Sequence, residues 1–292
     1  MLARIEVRKF RTLMAIAGLA LILSMILGFA VPVAARENRN HDRHHATLFA
    51  TGQAATGPLR VLLGIDVESG NTAVIGPATG SLAPGSLALA ITPDGTTAYT
   101  IANAFNSASA QLATIDLTTG VQALVGSPIG VDLKIMGMTF SPDGVLYAAG
   151  DFDPSSPTFN SLYTIDLTTG AATRVGSFDV GLMKSNFIMS FAWDSEGEMF
   201  GASMMSLYRI HRHRTTNAAT KVVDFVGSSK VMGIAFADGG FYAADFVGPL
   251  PTVSKIYAVN IETGFLTPLV NTGIAFVHNI AFNPERQRGH HE

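Results

Sequence analysis

Leu162-Tyr163-Thr164-Ile165-Asp166-Leu167-Thr168-Thr169-Gly170 reads as a short apolar strand running into a tight turn, and the same reading returns along the whole chain. The turns that follow such strands lead with Asp66, Asp116, Asp166, His211 and Asn260, at intervals of 50, 50, 45 and 49 residues. A period near fifty residues means a propeller or a solenoid rather than an aperiodic globule.

Every unit supplies four strand-length apolar runs, seen most plainly at 137–140, 146–149, 162–165 and 172–175. The first two are joined by Ser141-Pro142-Asp143-Gly144. There proline presets φ, aspartate bonds its own backbone and glycine supplies a positive φ. The last two are joined through 166–170 by the same chemistry. Tight turns force antiparallel neighbours, so the unit is a four-stranded meander.

First strands fall at 87–91, 137–140, 189–193, 233–236 and 279–282, and second strands at 98–101, 146–149, 199–202 and 241–244. The missing second strand is Thr47-Leu48-Phe49-Ala50, whose unit has no first strand; the last unit supplies one at 279–282 and then stops. A ring closed by one blade built from both ends of the repeat region accounts for the mismatch, whereas a solenoid needs capping repeats. The strands lack strict apolar and polar alternation, as expected where neighbouring blades cover both faces of a sheet. The expectation is an all-β, five-bladed β-propeller of four-stranded antiparallel blades over residues 46–285, in monomeric form.

Residues 1–35 stand apart. Arg4, Arg8, Lys9 and Arg11 precede an uncharged apolar run at 13–30, followed by Val33-Ala34-Ala35. Basic start, apolar middle and small residues at the end read as a cleavable export signal rather than a retained anchor, placing the mature protein in the periplasm or outside the cell with no stable membrane insertion. The chain has no cysteine, which excludes a lipoprotein anchor and a disulfide framework. Without the leader, 15 basic and 21 acidic residues give a formal net charge of −6, which argues against a nucleic-acid partner. The 29 glycines and 13 prolines suit a turn-rich all-β body. A polar, histidine-rich flank at 36–45 and a polar tail at 286–292 complete the chain; His41, His44, His45, His290 and His291 read either as a shared metal site or as solvated ends.

The two ends of a meander are unequal. One carries only tight turns, and the other carries the long connections between second and third strands and between blades, where function concentrates on a rigid scaffold. At that loop face the second strands end near Asn103, Asp151 and Asp245, followed by Phe105, Phe152 and Phe246. His278 lies near the same face. Polar groups backed by aromatics suit a sugar, a peptide or a small ligand; capping of their own loops is the competing reading. Asp151 and Asp153 form an Asp-x-Asp pair whose hard oxygens suit calcium, or equally a capped turn. Asp66, Asp116 and Asp166 are explained by their turns. The cluster Arg209-Ile210-His211-Arg212-His213-Arg214 breaks the repeat and reads as a metal or acidic-polymer contact, or as a solvated edge. Trp193 takes the place of Phe140, Phe236 and Phe282, so it is expected in the core.

Segments such as Met138-Thr139-Phe140-Ser141-Pro142-Asp143-Gly144-Val145-Leu146-Tyr147-Ala148-Ala149, with the 162–170 run, resemble bacterial exported β-propellers and, more broadly, NHL-type repeats. The resemblance implies the fold over nearly all of 46–285. It carries no activity, because the matching residues are strand cores and turns; the glutamate of metal-dependent sugar-lactonase propellers has no obvious counterpart. The leading functional expectation is a binding or scaffold module presenting its loop face to a protein or glycan. The alternative is a hydrolase or lyase acting on a sugar or lactone in the central funnel, with Asp151, Asp245 and His278 as the groups that would have to converge.

Overall fold

The computed structural model describes residues 47–53, 60–76, 82, 86–104, 109–129, 133–150, 159–179, 187–212, 216–228 and 230–283. The leader, the histidine-rich flank and the tail lie outside them. Among the described residues no helix is long and apolar enough to cross a membrane.

Among the described residues, twenty strands make five blades of four. Blade 1 contains β1 (Thr47–Gln53), β2 (Arg60–Asp66) and β3 (Thr72–Ile75). Blade 2 is β4 (Ala90–Ile91), β5 (Ala98–Ala102), β6 (Gln111–Ile115) and β7 (Gln122–Leu124). Blade 3 is β8 (Ile135–Phe140), β9 (Leu146–Gly150), β10 (Ser161–Ile165) and β11 (Ala172–Asp179). Blade 4 is β12 (Ser190–Trp193), β13 (Met199–Ala202), β14 (Ser206–Arg212) and β15 (Thr216–Asp224). Blade 5 is β16 (Val231–Ala237), β17 (Gly240–Asp245), β18 (Lys255–Val259) and β19 (Leu266–Asn271). The last strand, β20 (Ala275–Phe282), returns to blade 1, whose strand order is β20-β1-β2-β3.

The five innermost strands close a ring, each of β20, β4, β8, β12 and β16 packing on the next and β16 returning to β20. The closing ladder is antiparallel, from Leu48↔Phe282 to Thr51↔Asn279. Leu48, Phe49 and Ala50 are fully buried within it. The five-bladed ring closed by its first and last strands is therefore as the repeat implies.

The turn chemistry is visible atom by atom. In the turns after β2, β6, β10 and β18, one side-chain oxygen of Asp66, Asp116, Asp166 or Asn260 accepts two backbone N–H groups, two and three residues on, at 2.7–3.0 Å. The glycine that ends each turn sits at a φ of 70–74°, the left-handed region that suits a residue without Cβ. Those N–H donors hold the Asp116 and Asp166 carboxyls below the usual range.

Taper is handled by a size rule. Inner-strand residues Ala90, Thr139, Ala192, Ala235 and Ala281 lie opposite Tyr99, Tyr147, Phe200, Tyr242 and Phe49 on the second strands. Small groups near the axis and aromatics one strand out fill a wedge whose inner edge is crowded.

Two features depart from five equivalent, fully covered blades. The outermost strands β3 and β7 are largely exposed, so burial on both faces holds for the inner strands and fades outward. In addition β11 pairs in parallel with β15, from Ser177↔Thr216 to Asp179↔Ala218, joining blades 3 and 4 into one eight-stranded sheet. The long β15 belongs to the unit in which the Asp turn is lost.

Candidate functional site

The axis of the ring has three levels, each set by one register position of the five inner strands. At the middle level stand Ala88, Gly137, Ser190, Gly233 and Asn279. A Cβ on Gly137 would overlap the Met189 carbonyl oxygen and come within 2.8 Å of Ser190 Cα, and one on Gly233 would lie 2.9 Å from Ile280 N. Glycine here lets neighbouring backbones touch. The waist is then tied across: Ser190 Oγ donates to Asn279 Oδ1 at 3.0 Å and accepts from Ile234 N at 3.0 Å, while Asn279 Nδ2 donates to Leu89 O at 3.4 Å. These bonds link blades 1, 2, 4 and 5.

Toward the tight turns the small residues of the taper rule leave the bore open. A cavity of about 280 Å³ is lined there by all five inner strands, with Thr139, Phe140, Trp193, Phe236 and Phe282 at its wall and Thr92, Ser141 and Asp194 at its rim. Trp193 also lines a groove of about 600 Å³ running outward past Glu198, His211 and Arg212. The Arg212 guanidinium lies 4.7 Å from the Trp193 ring centroid and donates to Tyr147 Oη at 2.7 Å. The half-buried Trp193 is thus a wall of the mouth, held between Tyr147 and Arg212, and not solely a core residue. Of the basic cluster, Arg209, His211 and Arg212 lie on β14, while His213 and Arg214 fall outside the described residues.

Toward the loop face the bore is filled. Leu87, Met136, Met189 and Met232 come from four different blades yet form one buried cluster, on which Phe187, Met204 and Phe246 pack. His278 holds the fifth equivalent position, one residue before Asn279, and is only 2% exposed. Its ring meets Phe246 edge-on at 5.8 Å, and among the described residues neither Nδ1 nor Nε2 has a hydrogen-bond partner. Burial, followed by the positive charge of Arg60, lowers its pKa to about 3, so the imidazole is neutral. Arg60 donates from Nη1 to Phe276 O at 3.0 Å, and burial lowers its own pKa to about 10.

The candidates read from the sequence divide accordingly. Phe105, Asp151, Phe152 and Asp153 lie outside the described residues, and with them the Asp-x-Asp calcium pair. Asn103 is half-buried at a φ of 56°, a left-handed turn position just after β5. Phe246 and His278 come together at the axis. Asp245 is 4% exposed, and its carboxylate accepts from Lys255 N and Tyr257 Oη, each at 2.7 Å. Burial, reinforced by that carboxylate, raises the Tyr257 pKa. Asp245 thus ties β17 to β18. Replacing it with alanine strands a buried O–H and N–H, and we expect a loss of about 2–3 kcal/mol in denaturant unfolding. Asp245→Asn, which keeps an acceptor, should lose less.

Met136, Met189 and Met232 escaped notice in the sequence because methionine at strand spacing reads as core filling. Their common position, one residue before Gly137, Ser190 and Gly233, was the available signal.

No protein-family model matches the chain, and no curated protein sequence matches it. Similar solved structures include TolB from Acinetobacter baumannii, at 15% identity and a TM-score of 0.47 over 82% of this chain and 66% of TolB. A structure described as a putative gluconolactonase matches at 13% identity and a TM-score of 0.46, over 80% of this chain and 81% of that one. A catalytically inactive virginiamycin B lyase from Staphylococcus aureus, crystallised with quinupristin, matches at 14% identity and 0.40, over 79% and 72%. At these identities the likeness concerns the fold alone.

Proposed function

We propose that the protein is a binding propeller that seats one ring of a glycan in the open mouth on the tight-turn face and guides the rest along the groove beside Trp193. The observation that supports this reading is the cavity of about 280 Å³ bounded by all five inner strands, one of whose lining residues, Trp193, also lines a second groove. Its apolar wall with a few hydroxyl and carboxylate groups at the rim matches what a sugar ring presents, an apolar face edged by hydroxyls. Arg212 and His211 add donors along the groove.

The sequence pointed instead to the loop face for a protein or glycan partner. There, Asp245 is engaged in holding two strands and His278 is buried against Phe246, so those two groups favour neither surface recognition nor hydrolase or lyase chemistry in an open funnel. The two faces are separable by experiment. Glycan and peptide arrays probed with the mature protein should give glycan signals that fall at least tenfold in Thr139→Phe, which fills the mouth, and persist in Asn103→Ala with Asp151→Ala. Loss confined to the second variant would move recognition to the loop face. Capture of peptides in place of glycans would overturn the ligand class.

A further inference from the structure

We propose that Met136, Met189, Met232 and His278 form a binding site for a single soft monovalent metal ion, Cu(I), on the axis of the ring. The four side chains start from the same register position of β8, of the link before β12, of β16 and of β20, in four consecutive blades, with Leu87 at the fifth position. The three methionines and Leu87 touch as one buried cluster, although they come from four different blades. Phe246 packs on that cluster and on the His278 ring, which places the imidazole under the same cover as the sulfurs.

The backbone departs from a regular ladder at this level. Register shifts interrupt the pairing between Ile135 and Gly137 in β8 and between Val231 and Gly233 in β16. In β20 the pairing jumps from Asn279 to Ala275 while β1 advances only from Thr51 to Gln53, and Phe276 takes a φ of 53°. Such bulges re-aim side chains, and here they free Met136, Met232 and His278 from the flat alternation of a strand.

His278 is the feature that plain core filling leaves unexplained. A leucine or methionine at the fifth position would complete an apolar plug, yet the chain buries an imidazole whose two nitrogens find no partner among the described residues. Burying an unpaired polar group is unfavourable, and in folded proteins such a group calls for a specific explanation, an ion among them. The donor set then selects the ion. Three thioethers and one imidazole are soft to borderline ligands suited to Cu(I), whereas calcium, magnesium and manganese favour oxygen. Thioethers are uncharged, and the four-residue donor set contains no carboxylate. An uncompensated divalent charge is therefore disfavoured there relative to a single positive one. The site lies beyond the waist from the proposed glycan mouth, so neither reading depends on the other.

The test uses the mature full chain, stripped of metal with a chelator. Silver(I) nitrate in chloride-free buffer serves as a redox-inert probe, and Cu(I) is added anaerobically in competition with a chromophoric Cu(I) chelator. We expect one equivalent retained after desalting, measured by mass spectrometry of the elements, with a higher melting temperature and no displacement by excess zinc(II). The triple variant Met136→Leu, Met189→Leu and Met232→Leu changes shape little, and its circular dichroism should match the parent. Its affinity for Ag(I) should fall at least a hundredfold. A variant that folds and still binds one equivalent as tightly overturns the proposal, as does a parent that retains no Ag(I). Retention in the triple variant that disappears on changing His41, His44 and His45 to alanine would place the metal in the flank and overturn it equally.

Discussion

Removing β1, Thr47–Gln53, is expected to abolish cooperative folding rather than merely to loosen one edge. This strand lies between β20 and β2, so its loss breaks two ladders and separates the last strand from the sheet it completes. Leu48 and Phe49, fully buried, would each forfeit about 1.5–3 kcal/mol of burial, and further losses follow from Ala50, Thr51 and the backbone bonds. The sum rivals the roughly 5–15 kcal/mol of net stability of an ordinary domain. The truncated chain should elute as aggregate and show no sigmoidal melt, because β20 and β2 are left with open edges. A monomeric product melting where the parent melts would refute closure through this strand.

Gly137→Val should be the most damaging single substitution in the inner ring, at about 4 kcal/mol or more in denaturant unfolding. The obstacle is backbone, the Met189 carbonyl and Ser190 Cα of the next inner strand, which cannot rotate aside as a side-chain end can. Parting β8 from β12 would also disturb the hydrogen bonds that Ser190 makes to Asn279 and Ile234. Gly144→Val is the useful comparison. Its glycine has a φ of 84° but nothing within 4 Å of a Cβ, so it carries backbone strain without overlap and should cost about 1–3 kcal/mol. Equal losses at both positions would mean that the inner strands yield more readily than their spacing implies.

Much of the fold was legible because its determinants are local and repeated. Asp116 and Asp166 act within three residues of themselves, and the glycines that end their turns are demanded by φ alone; such signals survive in a bare sequence. The unpaired Thr47–Ala50 segment announced closure for the same reason, as a repeat unit with one part missing. The sites were less legible because they arise from convergence. Met136 and His278 are 142 positions apart in the chain, and what joins them is a ring, a register and a set of bulges. Asp245 shows the complementary difficulty. Its place at a strand end was readable, but whether its carboxylate faces a ligand or turns inward to Tyr257 depends on the path of the loop that follows. Trp193 fell in the core by analogy with three phenylalanines, and the arginine that makes it part of a wall comes from the one unit whose turn departs from the pattern.

The parallel bonding of β11 to β15 makes blades 3 and 4 one continuous sheet that resists opening along its shared ladder. Main-chain bonds also cross from Ser127 N to Thr169 O between blades 2 and 3, and from Val226 N to Gly264 O and Leu266 N to Val226 O between blades 4 and 5, but blades 3 and 4 share a ladder of successive residues. In native-state hydrogen exchange, the amides around 177–179 and 216–218 should therefore exchange with a shared opening energy above that of the solvent-facing strand β7, which has no such partner among the described residues. Under a pulling force applied at the chain ends, the ladder between blades 3 and 4 should be the last seam between neighbouring blades to part.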